Sequence, residues 1–283
     1  MVTALSAIAE ETLRISFCEA GTAPFGDGDV TDWRICPFLV VAQSYEGRYA
    51  VRFRGQDQRS TEPGGAFIVG AETQHHILHL APAAGKPMRA RWFHGRFTLF
   101  GAVDLTSLLD IPLVVDPAVG RCLEEPILEL MSQSARQAPP LAKLAARKRL
   151  AFRVLELVAE VSTLKRGGAD RIAELARLTP VLQFINDHLT DPLSVSGLAR
   201  VMGLSVPRFH GVFKSAMRMS PREYVLSCRF AEARTRLSAT MTPIQEVAAQ
   251  TGFHDPFHFS RLFKARFRMS PSQYRDRHRV ESE

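Results

Sequence analysis

A sequence pattern of about fifty residues occurs twice in the last third of the chain. The letters FK, RMSP and Y stand at residues 213–214, 218–221 and 224, and again fifty residues later at 263–264, 268–271 and 274. Ahead of these motifs the offset is 49, as from Gly203 to Gly252, so the second copy has one residue inserted between the glycine and the phenylalanine. So many identities in register indicate an internal duplication, and the fold has to contain the same structural unit twice.

The residue spacing of the first copy predicts two helices joined by a tight turn. Ser194 is placed to cap the first helix, and Gly203 supplies the left-handed backbone that glycine adopts at little cost. Ser205 is placed to cap the second helix, with Pro207 in its first turn. The apolar residues expected to face inward are Val195, Leu198, Ala199 and Met202 on the first helix and Phe209, Val212 and Phe213 on the second.

The second copy repeats this plan with other capping residues. Thr242 and Gln245 are placed to form a capping box around Pro243, and Gly252 again supplies the turn. Asp255 then opens a helix whose inward residues are Phe259 and Phe263. Two further capping boxes follow the repeats, at residues 220–223 and 270–273. Helix, glycine turn and helix is the plan of the helix-turn-helix motif, whose second helix enters the major groove of DNA.

This segment resembles the DNA-binding domain of the AraC/XylS family of transcription regulators. The resemblance rests on a leading helix (Val181, Phe184, Ile185, His188), LSVSGLARVMGLS, MSPREY, the linking helix CRFAEARTRL with its Arg229, Ala233, Leu237 pattern, IQEVAAQTGFHDPFHFSRLFK and MSPSQYR. It implies a DNA-binding domain over residues 179–277, with helix-turn-helix units at about 196–217 and 244–267. It also implies that the helix from Pro221 to Leu237 holds two recognition helices in successive major grooves, one turn of DNA apart.

The positive charge of the chain is concentrated in the same segment. Residues 177–283 hold 16 of the 36 Lys and Arg residues and 9 of the 29 Asp and Glu residues, so the rest of the chain is balanced at 20 and 20. The formal net charge of +7 therefore lies in the duplicated region, where a domain that binds DNA phosphates needs it. A basic solvated surface is the alternative interpretation of the charge alone, and the duplicated motif argues against it.

Outward positions on the second helix of each copy are the candidate DNA contacts. Arg208 and His210 are the expected base readers of the first copy. Arg261 is the best single reader of the second, because arginine to the O6 and N7 atoms of guanine is the commonest specific contact. Lys214 and Lys264 are expected to bind phosphates without reading sequence. The full set of expected DNA contacts is Ser205, Pro207, Arg208, His210, Lys214, Phe257, His258, Ser260, Arg261 and Lys264.

Two features depart from the family pattern. Gly211 stands where the family commonly has arginine or another long polar side chain, so the first recognition helix offers no side chain to a base there and loses helix stability. Arg218 and Arg268 stand where the family usually has glycine after the recognition helix. Each of these arginines has to end its helix without the freedom of glycine, and each adds a cation near a helix C-terminus, where a cation is favoured.

The sequence of residues 1–118 predicts an N-terminal domain built of strands. The segments that alternate like strands are RISFCEA, FLVVAQ, RYAVRFR, GAFIVG, HHILHL and RARWFHGRF. Many short strands with glycine-rich turns are typical of a sandwich or barrel. EPGGAFIVGAETQHHI and RWFHGRF resemble the cupin-like sensor half of AraC-type regulators. The predicted fold class is therefore α+β with two domains, an N-terminal cupin-like β-barrel and a C-terminal all-α domain of two helix-turn-helix units.

Four of the nine histidines, His75, His76, His79 and His94, fall in this strand region. On a strand, His75 and His79 share one face and His76 points the other way. A cupin-type metal site is one hypothesis, because neutral imidazole binds zinc, iron and nickel. No Glu or Asp follows at short spacing to complete a ligand set, so no metal or cofactor is predicted. We expect instead a pocket for an unidentified small-molecule effector, lined by His75, His79, Trp92 and His94.

Helical periodicity returns between residues 119 and 163. A short amphipathic helix is predicted from Ile127, Leu128, Leu130 and Met131, and a longer one follows Pro140. Packing against the barrel is one role for these helices. In the family, helices at this position commonly pair two subunits, which implies a homodimer. LKRGGADR predicts an interdomain linker, placed at residues 164–175.

Taken together, these features predict a sequence-specific, effector-responsive transcription activator that is not an enzyme. Its expected partners are double-stranded promoter DNA, RNA polymerase and a second copy of the chain. The four scattered cysteines, the absence of an apolar run of eighteen residues and the absence of a signal-like start predict free thiols, no membrane association and a cytoplasmic protein. The alternatives are a cupin-type metalloprotein fused to a DNA-binding domain and a constitutive DNA-binding protein without a ligand.

Overall fold

The computed structural model describes residues 9–10, 12–101, 103–133, 137–239 and 241–278. These residues form two units, one of residues 9–99 and 103–169 and the other of residues 100–101 and 170–278. Strands dominate the first unit and helices the second, which confirms the predicted α+β class. Residues 1–8 of the predicted N-terminal domain lie outside the described residues.

All six segments that alternate like strands in the sequence lie on strands of the structure. The strands are β1 (Arg14–Phe25), β2 (Arg34–Ile35), β3 (Leu39–Glu46), β4 (Arg48–Phe53), β5 (Arg59–Ser60), β6 (Ala66–Val69), β7 (Gln74–Leu80), β8 (Met88–Leu99), β9 (Val103–Asp104), β10 (Leu109–Asp110), β11 (Val114–Val115) and β12 (Thr163–Leu164). Burial alternates along β7, as expected of a strand with one buried face, whereas β6 and most of β3 are buried on both faces.

The strands of this unit form two main antiparallel sheets. The first has the order β1-β8-β3-β6-β11, with β9 beside β8, and the second has the order β2-β7-β4-β5, while β10 pairs with β12. Val40 and Phe67 of the first sheet pack in one core cluster with Val51 and Ile77 of the second. Among the described residues no strand pairing closes the two sheets into a single ring, and the cupin-like barrel stays a prediction.

Two helices complete the strand-rich unit, α1 (Pro117–Ser132) and α2 (Pro140–Glu160). Helix α1 is longer than the short helix expected, because Asp116 caps it by accepting hydrogen bonds from the N–H groups of Ala118 and Val119. The ring of Phe152 on α2 lies 5.9 Å from that of Phe97 on β8, so this helix packs on the first sheet. The C-terminal half of α2 buries one face, which includes Leu150, Val154 and Val158, whereas Leu141 near the start of the helix is 76% exposed.

The second unit consists of α3 (Gly168–Asp187), α4 (Val195–Val201), α5 (Val206–Met217), α6 (Pro221–Ala239), α7 (Ile244–Gln250), α8 (Pro256–Phe267) and α9 (Pro271–His278). Helix α3 begins inside the predicted linker of residues 164–175, because Ile172 and Leu175 are buried and continue its apolar face. In the described part of the chain, no helix is both long and apolar enough to cross a membrane.

The duplication is visible in the packing of the helical unit. The rings of Phe213 and Tyr224 lie 5.6 Å apart in an edge-on arrangement, and those of Phe263 and Tyr274 lie 5.5 Å apart in the same arrangement. Both tyrosines are buried on the helix that follows the recognition helix. Each copy of the repeat is therefore closed by the same aromatic pair, which fixes the recognition helix against its neighbour.

Candidate DNA-binding surface

Each repeat forms a helix, a glycine turn and a second helix, α4 with α5 and α7 with α8. Gly203 has a φ of +62° and Gly252 a φ of +83°, the left-handed region that favours glycine. The N–H of Leu204 donates to the carbonyl oxygen of Ala199 at 3.0 Å, and that of Phe253 donates to the equivalent carbonyl at 2.9 Å. The extra residue of the second copy lies in its turn, between α7 and α8.

The caps of the helices agree with the sequence in most positions. Ser194 Oγ accepts from the N–H of Gly197 at 3.0 Å, and Asp255 Oδ1 accepts from Phe257 at 2.8 Å, as predicted. Ser205 occupies the capping position of α5, but its side chain makes no capping hydrogen bond. Pro243 is the N-cap residue of α7, with an extended ψ of 144°, so the helix begins at Ile244, and the capping box between Thr242 and Gln245 stays a prediction.

Both of the capping boxes that follow the recognition helices are confirmed. The Ser220 N–H donates to Glu223 Oε2 at 2.7 Å, and the Glu223 N–H donates to Ser220 Oγ at 3.3 Å. Ser270 and Gln273 exchange the same two bonds at 2.9 and 3.2 Å. The hydrogen bonds from Ser220 hold the pKa of the Glu223 carboxyl below its usual range. These boxes fix where α6 and α9 begin and therefore where each recognition helix has to end.

The first recognition helix, α5, presents its predicted DNA-contact residues to solvent. Phe209 and Phe213 are fully buried, which orients the opposite face outward. The side chain of Val212, expected to face inward, is half-buried. All five predicted contacts of this helix, Ser205, Pro207, Arg208, His210 and Lys214, are exposed, and so is Gly211.

The second recognition helix, α8, is oriented by buried Phe259 and Phe263. His258, Arg261 and Lys264 are exposed, and Phe257 is 82% exposed, which is unusual for a large apolar side chain. Ser260 is half-buried, and its hydroxyl donates to the carbonyl oxygen of Pro256 at 2.9 Å. The hydroxyl of Ser260 is therefore directed at the backbone of its own helix.

Arginine ends both recognition helices in the left-handed conformation. Arg218 has a φ of 58° and Arg268 a φ of 60°, and the N–H of each donates to the carbonyl oxygen of the lysine four residues earlier. The two arginines thus adopt the backbone that the family gives to glycine. An open depression of about 370 Å³ is lined by Gly211, Lys214, Ser215 and Arg218, and one of about 410 Å³ is lined by Arg261, Lys264, Ala265 and Arg268.

In the strand-rich unit, His75 and His79 lie on the buried face of β7, as the alternation predicts. Nδ1 of His75 lies 2.9 Å from the carbonyl oxygen of Thr73, and Nδ1 of His79 lies 2.8 Å from that of Asp29. A carbonyl oxygen only accepts, so each Nδ1 carries a proton and donates. Burial lowers the pKa of both imidazoles, and they are neutral at physiological pH.

Trp92 and His94 lie on β8, and as alternate residues of a strand they share a face. Their rings stack with centroids 4.4 Å apart. Nδ1 of His94 lies 3.1 Å from Oε1 of Glu19, and burial lowers the pKa of His94 in spite of this carboxylate. The pKa of His75 is lowered chiefly by burial, and the nearby His94 lowers it further. The structure therefore brings predicted pocket residues of two different sheets near one another.

Arg34 belongs to this cluster, although sequence analysis did not single it out. It lies opposite His75 on β2, and its Nε donates to Nε2 of His75 at 3.3 Å. A strand of two residues has no periodicity that sequence reasoning can detect. Among the described residues, no group of three or more His, Cys, Asp or Glu side chains is arranged to hold a metal ion.

The paired helices agree with what comparison with known proteins finds. A protein-family model described as a helix-turn-helix domain matches residues 198–277. The probable transcriptional regulator LumQ of Photobacterium leiognathi is 34% identical over 103 residues, 36% of this chain and 42% of LumQ. The HTH-type transcriptional activator RhaS of Enterobacter sp. (strain 638) is 32% identical over 100 residues, 35% of this chain and 36% of RhaS.

The matches to these curated relatives cover less than half of their length. The crystal structure of ToxT from Vibrio cholerae O395 aligns with 93% of this chain and 99% of its own at 10% identity, and its TM-score of 0.40 is too low to establish a shared overall fold. The family model and the relatives agree with the resemblance found in the sequence and with the paired helices of the structure. Residues 198–277 of this chain are therefore a helix-turn-helix domain of the AraC type.

Proposed function

We propose that the chain is a sequence-specific DNA-binding transcription regulator that acts in the cytoplasm and is not an enzyme. The observation that carries this proposal is the duplicated helix-turn-helix, which exposes two recognition helices in the part of the chain that holds the whole net charge of +7. Lysine and arginine on these helices are suited to phosphates, and Arg261 is suited to a guanine edge. The names of the relatives, a transcriptional regulator and a transcriptional activator, support the same function.

Footprinting of the purified chain on the DNA upstream of its own gene tests this function. Two protected major-groove patches one helical turn apart are expected, and they should weaken as the salt concentration rises. A double variant, Arg261→Ala with Lys264→Ala, is the matched control because both side chains are exposed and their loss leaves the core intact. Protection that is equal on promoter DNA and random DNA at every salt concentration would contradict a sequence-specific regulator.

We propose that a small-molecule effector binds in the strand-rich unit, beside His75, His79, Trp92 and His94. Three of these side chains are neutral imidazoles anchored through Nδ1, so Nε2 of each is a hydrogen-bond acceptor. Nε2 of His75 accepts from Arg34, which leaves Nε2 of His79 and His94 for a ligand. Trp92 supplies an aromatic face next to His94. Apolar walls with a few anchored polar groups are typical of ligand sites. By this hypothesis, an effector that binds two conformations unequally shifts the population that binds DNA.

Tryptophan fluorescence reports on this site, because the chain has only two tryptophans, Trp33 and Trp92. In a Trp33→Phe variant all emission comes from Trp92, and a metabolite that changes DNA binding should also change this emission. The same metabolite should leave the emission of a Trp92→Phe variant unchanged. A metabolite that controls DNA binding without affecting Trp92, and whose effect survives His79→Ala, would place the effector elsewhere.

We propose further that the chain forms a homodimer through α1 and α2 and activates RNA polymerase. Leu128 on α1 and Leu141 and Leu144 on α2 are exposed apolar side chains, 44%, 76% and 43% accessible. Sedimentation equilibrium should show a dimer that Leu141→Glu dissociates and that Lys148→Glu, an exposed charge change on the same helix, leaves intact. Transcription in vitro with purified polymerase tests activation directly.

A further inference from the structure

Arg218 and Arg268 hold a backbone conformation that disfavours a side chain. Among the described residues only four that are not glycine have a positive φ, and these two arginines, at 58° and 60°, are equivalent positions of the repeat. A residue with a Cβ is strained in this region because the Cβ approaches the following carbonyl oxygen. The same strain in both copies indicates a requirement that acts on both recognition helices.

The strain is not offset by contacts of the arginine side chains within the chain. Both side chains are exposed, and neither makes a side-chain hydrogen bond or an ion pair with any residue that the structure describes. Arg266, by comparison, donates to the hydroxyl of Ser227 and lies over the ring of Phe230. The guanidinium groups of Arg218 and Arg268 are therefore free to bind something outside the protein.

Their position on the surface identifies what that ligand is. Arg218 lies seven residues after Gly211 and four after Lys214, on the outward stripe of α5. Arg268 lies on the same stripe of α8, after Arg261 and Lys264. Each arginine lines an open depression together with these outward residues. The depressions therefore lie on the same face of each helix as the candidate DNA contacts, and cations line them.

We propose that Arg218 and Arg268 bind DNA phosphates at the end of the two recognition helices, because arginine binds phosphate through paired N–H groups. The proposal rests on the DNA binding proposed above and adds two contacts to it. The chain keeps arginine at two positions where glycine is less strained, because the guanidinium groups contribute to DNA affinity. Stability of the domain and affinity for DNA are then opposed at these two positions.

Substitution by glycine separates the two effects. Arg218→Gly and Arg268→Gly should each raise the melting temperature by about 2 to 4 °C, since glycine relieves the strain. Each should also weaken binding to operator and to random DNA by a similar factor, about tenfold, because a phosphate contact reads no sequence. The slope of log affinity against log salt should fall by about one per variant.

Matched variants distinguish a phosphate contact from a general effect of charge. Arg218→Lys retains the cation and should retain most of the salt slope, without a rise in melting temperature. Arg59→Ala removes one exposed cation from β5 of the strand-rich unit and should leave the salt slope unchanged.

The results that would overturn the proposal are specific. Glycine variants that are stabilised but keep the full affinity and salt slope would show that the arginines do not touch DNA. Glycine variants that are not stabilised would refute the strain argument. If Arg59→Ala lowered the salt slope as much as Arg218→Gly, the change would come from net charge and not from a phosphate contact. A wild-type chain that binds no DNA would instead refute the proposed function, and this is measured first.

Discussion

The two turn glycines of the repeat are a matched pair for measuring how crowding around the turn affects the stability of the domain. Gly203→Ala and Gly252→Ala make the same chemical change at equivalent positions, and both glycines have a positive φ, +62° and +83°. An alanine Cβ at Gly203 meets no heavy atom within 4 Å. At Gly252 the Cβ would lie 2.6 Å from Nε of Arg229 and 2.6 Å from the carbonyl oxygen of Leu189.

The expected costs differ because only one of the two sites is crowded. A left-handed alanine costs roughly 1 kcal/mol at either position. At Gly252 the alanine also has to displace Arg229, whose guanidinium donates to the carbonyl oxygens of Leu189 at 3.0 Å and Asp191 at 2.8 Å. Overpacking of this kind adds about 1 to 3 kcal/mol. Gly252→Ala should therefore lower the free energy of unfolding by about 2 to 4 kcal/mol and Gly203→Ala by about 1 kcal/mol.

Urea unfolding followed by far-ultraviolet circular dichroism measures both costs, because helices of the second unit dominate this signal. An Arg229→Ala background supplies the control, since removing the guanidinium should bring the cost of Gly252→Ala closer to that of Gly203→Ala. Equal losses for the two glycine variants in the wild-type background would refute the reasoning. A larger loss at Gly203 would show that the local crowding around Gly252 is absent in solution.

Three further perturbations follow from the same geometry. Arg261→Ala should weaken operator binding by about 1 to 3 kcal/mol and relax preference at one base, whereas Lys264→Ala should weaken all sequences alike; competition with random DNA separates the two, and equal losses would show that Arg261 is not the reader. Gly211→Ala should raise the free energy of unfolding by about 1 kcal/mol without loss of affinity, because its Cβ meets open space; weaker DNA binding by this variant would mean that the DNA approaches the helix backbone there. Burial lowers the pKa of His75 and His79 in the folded state, so the unfolded chain takes up protons more readily, and the stability present above the unfolded pKa of about 6.5 is lost as the pH falls below it. The melting temperature should depend less on pH across this range when both histidines are replaced by glutamine. An unchanged pH dependence would contradict the assignment.

The helical unit could be predicted from the sequence in detail because its signals are local. Helical spacing, glycine turns and capping boxes are all read within a few residues, and the duplication supplied each signal twice. The start of α7 was located to within one residue, since Pro243, expected in its first turn, is the N-cap residue with an extended ψ. The sequence also marked Arg218 and Arg268 as departures from glycine, whereas their left-handed backbone became visible only in the structure.

The strand-rich unit was less predictable because its contacts are distant in sequence. Alternation located the strands, but it does not determine which strands pair, and β8 lies between β1 and β3. The contact between Arg34 and His75 joins residues 41 apart through a strand of two residues. The side chains of the predicted pocket could thus be named from the strand face that they occupy. Their contacts with other strands could not be predicted, because no local pattern encodes which strands pair.

The two copies of the repeat differ in a way that assigns them different tasks on DNA. The second recognition helix carries Arg261 where the first carries Gly211, so three cations line the depression on α8 and two line that on α5. Phosphate contacts fix position and base contacts fix sequence. We therefore expect the DNA under α8 to show sharper base preferences than the DNA under α5. Selection from a randomised operator library measures both preferences in one experiment. Arg261→Ala should flatten the sharper half alone, and a library in which the half under α5 is the sharper would reverse this assignment.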